Sequence, residues 1–403
     1  MNIRTISLER TTFYLRIARS LQQCLFILPI VVLFYQEKGL TVGDFFLIQG
    51  IFAFAKFALE IPTGYIGDLF SRKKILSLAF FFYGLGYVIW YIGSGFTYIL
   101  LGELCFGVCA ALYSGTMEAY LYDVLKKRGK ENKIMKEIGK LRSFGSLSTA
   151  ISTFSGAFLY SIYGADGVIL ITIFLITISV IITLFLPDLE DIKRKVEDGK
   201  SKFQDILDIT KYATTHKEIK WLILFPSIFG SITLVLMWSQ QPLMENNHVP
   251  VYLFGIFIGI NQLFRTMLSY KANSLFQKFK VKNFTLGAFS ILFMGLLSAL
   301  IIPDVSNIYI TYVMLLIVAL AAASQTSMKV VMNSLLNHRI KSDERATILS
   351  VSAMAGSFLC GFMMILLKFL IDYLGLQMTF VIIIPIAIIP CFIAMKKLLK
   401  LEL

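Results

Sequence analysis

The residues of this chain best placed to do chemistry are ionisable side chains inside long apolar runs. A charge in hydrocarbon costs roughly 2.5–3.5 kcal/mol and persists only where it is paired or used. Lys56 and Glu60 stand one helical turn apart in the run 43–66. On one helix face they can neutralise each other as a structural pair; alternatively, Glu60 can take up a proton when Lys56 shifts and so bias a conformational equilibrium. Glu103 lies in a later run, and Glu118 and Asp123 close it beside Lys126, Lys127 and Arg128, where gating or ion pairing is expected. Further polar residues within apolar runs are candidates for the wall of a substrate cavity: Gln23, Trp238, Asn261, Arg265, Gln325 and Lys329. Cys24, Cys105, Cys109, Cys360 and Cys391 all fall in apolar runs, and His216, His248 and His338 are scattered, so buried thiols rather than a metal site are expected.

The elements that must position these residues are membrane spans. The sequence is 57% hydrophobic and 16% charged over 403 residues, a balance that one water-soluble core could not absorb. Apolar runs long enough to cross a bilayer fall at 13–36, 43–66, 75–94, 97–121, 141–163, 167–187, 220–241, 251–271, 284–302, 308–332, 346–371 and 377–395. The expected fold is therefore all-α, with twelve spans in two six-helix bundles, 1–187 and 220–403. The charged segment 188–219 joins them as a cytoplasmic linker. Arg4, Arg10, Arg16 and Arg19 precede the first run as in a secretory signal, but no small-residue cleavage site follows, so a retained first span is expected.

Positive charge in short loops stays on the cytoplasmic side. With both termini cytoplasmic, all of the 38 Lys and Arg except Lys38, Lys56 and Lys368 fall on the inner side. The net charge of +13 then reflects topology and an anionic leaflet, and calls for no nucleic acid. A weak internal repeat fits two halves: Asp68 to Lys74 aligns with Ser274 to Lys280, and Arg142 opening span five has its counterpart in Arg345 opening span eleven.

Between spans two and three the chain reads Glu60-Ile-Pro62-Thr-Gly64-Tyr-Ile-Gly67-Asp68-Leu-Phe-Ser-Arg72-Lys73-Lys74. Gly64 and Gly67 permit close helix approach, Asp68 can accept hydrogen bonds from a helix N-terminus, and the basic triplet anchors the loop at the leaflet. This resembles the signature loop of the major facilitator superfamily, in which Gly is followed four residues on by Asp and then by a basic cluster. The resemblance extends over the whole twelve-span plan. It implies that Gly64, Asp68, Arg72 and Lys73 form a conformational latch, with Asp68 and Arg72 networked to the start of span eleven near Arg345 to Ser350 in the outward-facing state. The Glu-x-Pro form of the loop is similar to that of a divergent class of bacterial tetracycline exporters. Two departures stand out: Glu103 occupies the place where drug and proton antiporters carry a span-four Arg before Gly107, and span five lacks their Gly-Pro element.

The expected function is secondary active transport by alternating access, as proton-coupled export of a drug-like or amphipathic molecule, tetracycline included. Proton coupling is assigned to Glu60, Lys56 and Glu103, and gating to Glu118, Asp123, Arg142 and Arg345. The alternative is a proton-coupled importer of a sugar, amino acid or peptide. No Gly-x4-Gly-Lys-Ser/Thr loop, Gly-x-Ser-x-Gly or His-Glu-x-x-His occurs, so neither direct use of ATP nor an enzyme is expected. The expected partners are a small-molecule substrate, protons and the bilayer of the cell membrane. No cofactor is expected, and the protein is expected to be a monomer. Replacing Asp68 with Asn is expected to abolish transport in membrane vesicles at unchanged membrane expression; normal transport by that variant sinks the latch.

Overall fold

A backbone in hydrocarbon must satisfy its own hydrogen bonds, and apolar runs with few prolines do so as helices. The computed structural model describes residues 7–189, 215–340 and 345–401, excluding the side chains of 60–69, 217, 273 and 345–347. Most of the linker, and the side chains of Glu60, Gly64, Asp68 and Arg345, lie outside that description. The described α-helices are α1 (Thr11–Gln22), α2 (Val31–Glu37), α3 (Val42–Leu69), α4 (Arg72–Ile92), α5 (Phe96–Tyr113) and α6 (Thr116–Lys127). They continue as α7 (Ile134–Leu184), α8 (Lys217–Asn246), α9 (Val251–Ile301), α10 (Ile308–Asn337) and α11 (Arg345–Leu399). No strand occurs among the described residues.

Nine helical segments among the described residues are long and apolar enough to cross a membrane. Two of them, Glu131–Leu184, which takes in α7, and Ile348–Leu399 of α11, run to 54 and 52 residues, twice the length of one crossing, and each is divided by a glycine with positive φ. Gly164 (φ 67) and Gly375 (φ 76) take the left-handed backbone that turns the chain back without a Cβ clash. Counting those two helices double gives eleven crossings, and the broken α1–α2 segment brings the total to the expected twelve.

The first span is not the continuous helix that its apolar run predicts. α1 ends at Gln22, and a 3-10 turn over Leu28–Ile30, with Pro29 in it, leads into α2. A helical Pro29 would press its ring on the carbonyl of Leu25 and leave a hydrogen bond unmade. The freed groups are met by α7: the Leu25 amide donates to Ser152 Oγ at 2.9 Å, and Thr149 Oγ1 donates to the Gln23 carbonyl at 3.1 Å. Gly156 makes room for the break, since a Cβ there would stand 2.1 Å from the Phe26 carbonyl oxygen.

The chain divides into two compact units, one comprising Met1–Leu40 and Ala58–Asp198, the other Thr41–Phe57 and Gly199–Leu403. The helix α3 is thus shared, its first half packing with the helices of the second unit. Asp44 near its start accepts a hydrogen bond from Lys368 of α11 at 3.0 Å, and Lys368 also pairs with Asp372. Six residues on, α3 and α11 nearly touch: a Cβ on Gly50 would lie 3.1 Å from the Gly361 carbonyl oxygen. Small residues here do what they do in other membrane helix pairs, bringing backbones into van der Waals contact.

Lys280 interrupts α9 with φ 55, a left-handed conformation that costs a residue with a Cβ roughly 1–2 kcal/mol. Lys280→Gly is therefore expected to raise stability by about 1 kcal/mol and Gly164→Ala to lower it by about the same. Thermal unfolding in detergent, followed by intrinsic fluorescence, reads both; equal midpoints for all three proteins contradict the strain argument.

Candidate functional site

A cavity of about 320 Å3 opens in the second unit, within the range of small-molecule sites. Four helices wall it, each with one face. On α3, Gln49, Phe52, Ala53 and Lys56 recur at intervals of three and four residues. On α10, Gln325, Lys329 and Asn333 follow every fourth residue, while α8 contributes the face from Pro226 to Trp238 and α11 the face from Ser352 to Met364. The result is amphipathic. Apolar walls of Phe52, Leu234, Trp238 and Met364 meet the amides of Gln49 and Gln325, several serine hydroxyls and two ammonium groups.

Local sequence explains why these faces are open. On α8, Ser227 and Ser231 return their hydroxyls to the carbonyls of Ile223 (2.7 Å) and Ser227 (2.9 Å), so polar side chains lie flat against their own helix and leave volume. Trp238 is held edge-on by Phe45 of α3, ring centroids 5.3 Å apart. Phe358 of α11 closes against Phe54 and Phe57 at 5.6 and 5.8 Å.

Of the residues expected in the cavity, Trp238, Gln325 and Lys329 line it, and Lys56, expected in proton coupling, lines it too. Asn261 and Arg265 are not among the lining residues. Asn261 is buried and its amide donates to the Ala319 carbonyl at 2.9 Å, tying α9 to α10. The Arg265 guanidinium turns toward Met237 Sδ at 3.7 Å, and its carbonyl accepts from Thr326 Oγ1 at 3.1 Å. Gln23 belongs to the first unit at the end of α1, bonded to Gln22 and Thr149.

The remaining predicted residues whose side chains are described lie in the first unit. Glu103 is buried on α5 and accepts a hydrogen bond from Tyr35 Oη at 2.6 Å, and the ring of Trp90 meets that of Tyr35 edge-on. Arg72 at the start of α4 pairs with Asp123 of α6 and donates to the Ala119 carbonyl at 2.7 Å. Lys73 is half-buried beside it. Arg142 of α7 grips one oxygen of Glu118 through Nε and Nη2, at 2.9 and 2.7 Å. Arg19, treated in the sequence only as part of a basic terminus, lies over the Tyr113 ring at 4.7 Å and donates to Gln22. Gln49, Asn333 and the serines of the cavity went unnamed as well; their fourfold spacing along α3, α10 and α11 was the available signal.

Comparison with known proteins agrees with this architecture. The family pattern described as Major Facilitator Superfamily matches residues 12–362. An uncharacterized MFS-type transporter of Methanocaldococcus jannaschii is 27% identical over 139 residues, 34% of this chain and 35% of the relative. The inner membrane protein YqcE of Escherichia coli is 24% identical over 280 residues, 66% of this chain and 64% of the relative. Each match thus spans less than two thirds of the relative. Among solved structures, a mutant of the nucleoside transporter NupG superposes with a TM-score of 0.80 over 96% of this chain and 99% of that one, at 14% identity, a likeness of fold.

The pair of Arg72 and Asp123 is mostly enclosed, with side-chain exposures of 20% and 9%. Among the described residues, removing the carboxylate leaves the guanidinium only the Ala119 carbonyl, so Asp123→Asn is expected to cost about 1.5–3 kcal/mol. The exchange of both residues, Arg72→Asp with Asp123→Arg, is expected to recover part of that loss in detergent unfolding; an Asp123→Asn protein as stable as wild type removes the pair from the structural account.

Proposed function

Because the chain belongs to the Major Facilitator Superfamily of membrane transporters, we propose that it is a secondary active exporter of a drug-like or amphipathic small molecule, tetracyclines among the candidates, exchanged for protons. The observation that carries the reading is the cavity, whose Trp238, Phe52 and Met364 offer apolar contact while Gln49 and Gln325 offer hydrogen bonds. A molecule with one greasy and one polar face satisfies both; a sugar, with hydroxyls all round, leaves the apolar wall unmatched.

Proton exchange needs a carboxyl that alternates between charged and neutral forms inside the membrane. Two residues fill that role in the proposal. Glu103 is buried and held by the Tyr35 hydroxyl, a neutral donor that serves either form through rotation of its proton. Glu60 lies one turn beyond Lys56 on α3, so its charge and that of the cavity wall are linked through a rigid helix. In this proposal the protein lies in the cell membrane with both termini in the cytoplasm, on the strength of the basic residues gathered in the inner loops, and it acts as a monomer without a cofactor.

The test is drug susceptibility of an efflux-deficient bacterial host carrying wild type, Glu60→Gln or Glu103→Gln at matched membrane expression, over a panel that includes tetracyclines. Wild type is expected to protect, and each neutral variant to lose protection while retaining expression. Protection by none of the three overturns export, and uptake of labelled nutrients down an inward proton gradient becomes the assay to run.

A further inference from the structure

Three arginines of the first unit are met by carboxylates: Arg16 by Glu137, Arg72 by Asp123 and Arg142 by Glu118. Arg19, one turn beyond Arg16 on α1, is met differently. Its guanidinium lies over the Tyr113 ring, 4.7 Å from the centroid, and its Nη1 donates to Gln22 Oε1 at 2.9 Å. Both partners are neutral, and no carboxylate pairs with Arg19 among the described residues. Arg19 is half-buried and stands about 12 Å along α1 from its start, where a cation without a counter-ion is costly to hold.

The groups left over around Arg19 are donors. Nη1 is committed to Gln22, so Nε and Nη2 have no acceptor among the described residues; they form the edge that takes a carboxylate or phosphate through two parallel hydrogen bonds. Gln22 Oε1 is engaged twice, by Arg19 and by Gln23 Nε2 at 2.9 Å, while the Gln22 amide nitrogen and the Tyr113 hydroxyl donate to nothing among the described residues. On the side of Nε, α7 presents a glycine: a Cβ on Gly145 would stand 3.2 Å from that nitrogen. The helix that gives Glu137 to Arg16 thus gives Arg19 no side chain at all. Tyr113 itself stacks on Phe80 of α4, ring centroids 6.0 Å apart, which fixes the surface on which the guanidinium rests.

We infer that Arg19 binds the acidic group of the transported molecule, which is an organic acid carried as its anion, held by the Nε and Nη2 edge with Gln22 and Tyr113 donating beside it. This rests on the transport reading and names the substrate class. Carboxylate and phosphate monoester share the chemistry that this edge recognises.

The test uses the purified full chain in detergent and measures equilibrium binding of three probes of similar shape: 1-naphthaleneacetate, 1-naphthyl phosphate and the neutral 1-naphthaleneacetamide. At least one anion is expected to bind about tenfold or more tightly than the amide. Arg19→Gln is expected to erase that preference. Arg19→Lys keeps the charge but not the two-pronged edge, and is expected to weaken anion binding about threefold or more. Arg16→Gln removes the same charge one turn away and is expected to retain the preference. Preference for the acetate alone assigns carboxylic acids, for the phosphate alone phosphate esters, and for both a site that accepts either. Equal affinity for amide and acids, no binding of any probe, a preference undiminished in monodisperse Arg19→Gln or Arg19→Lys protein, or an equal loss in Arg16→Gln overturns the inference. Binding in detergent requires no gradient and no direction, so failure here is distinct from failure of the susceptibility test, which bears on export alone.

Discussion

A carbonyl or an ammonium group released into hydrocarbon has no water to turn to, and that constraint decides where this chain breaks a helix and where it holds a charge. The interruption after α1 is possible because α7 presents Ser152 and Thr149 to the freed amide and carbonyl, and because Gly156 lets the two backbones meet. At the start of α3, Asp44 does two tasks at once. Its carboxylate accepts the Thr41 amide at 3.0 Å, capping the helix, and accepts Lys368 of α11 at the same distance. That contact orients α3, and the face carrying Gln49, Phe52, Ala53 and Lys56 follows from it by helical geometry.

Within the first unit three cations at membrane depth or near it are matched locally: Arg72 with Asp123, Arg16 with Glu137, Arg142 with Glu118. Glu103 accepts a hydrogen bond from the Tyr35 hydroxyl. In the second unit Arg339 pairs with Glu218 and Lys368 with Asp44 and Asp372, and Lys56 and Lys329 line a cavity. On the proposed reading the carboxyls that exchange protons are Glu103 on α5 and Glu60 on α3, and α3 also carries Lys56 of the cavity wall.

Much of this was legible in the sequence. Hydropathy located the spans because a bilayer imposes one length scale, and the loop from Glu60 to Lys74 resembles the signature of the family whose pattern residues 12–362 match. The breaks were harder. Pro29 was visible, yet whether a proline kinks a span or ends it depends on whether a neighbour can satisfy the freed groups, and Ser152 is 127 residues away from Leu25. The cavity was half legible: Trp238, Gln325 and Lys329 were named because they are conspicuous, whereas Asn261 and Arg265 were equally conspicuous and point elsewhere. A polar residue in a span must satisfy itself somewhere, and only the packing of α8, α10 and α11 decides whether a helix partner or a cavity does so. The allocation of residues 41–57 to the second unit had no sequence signal, since it depends on Gly50 meeting Gly361 across more than three hundred residues.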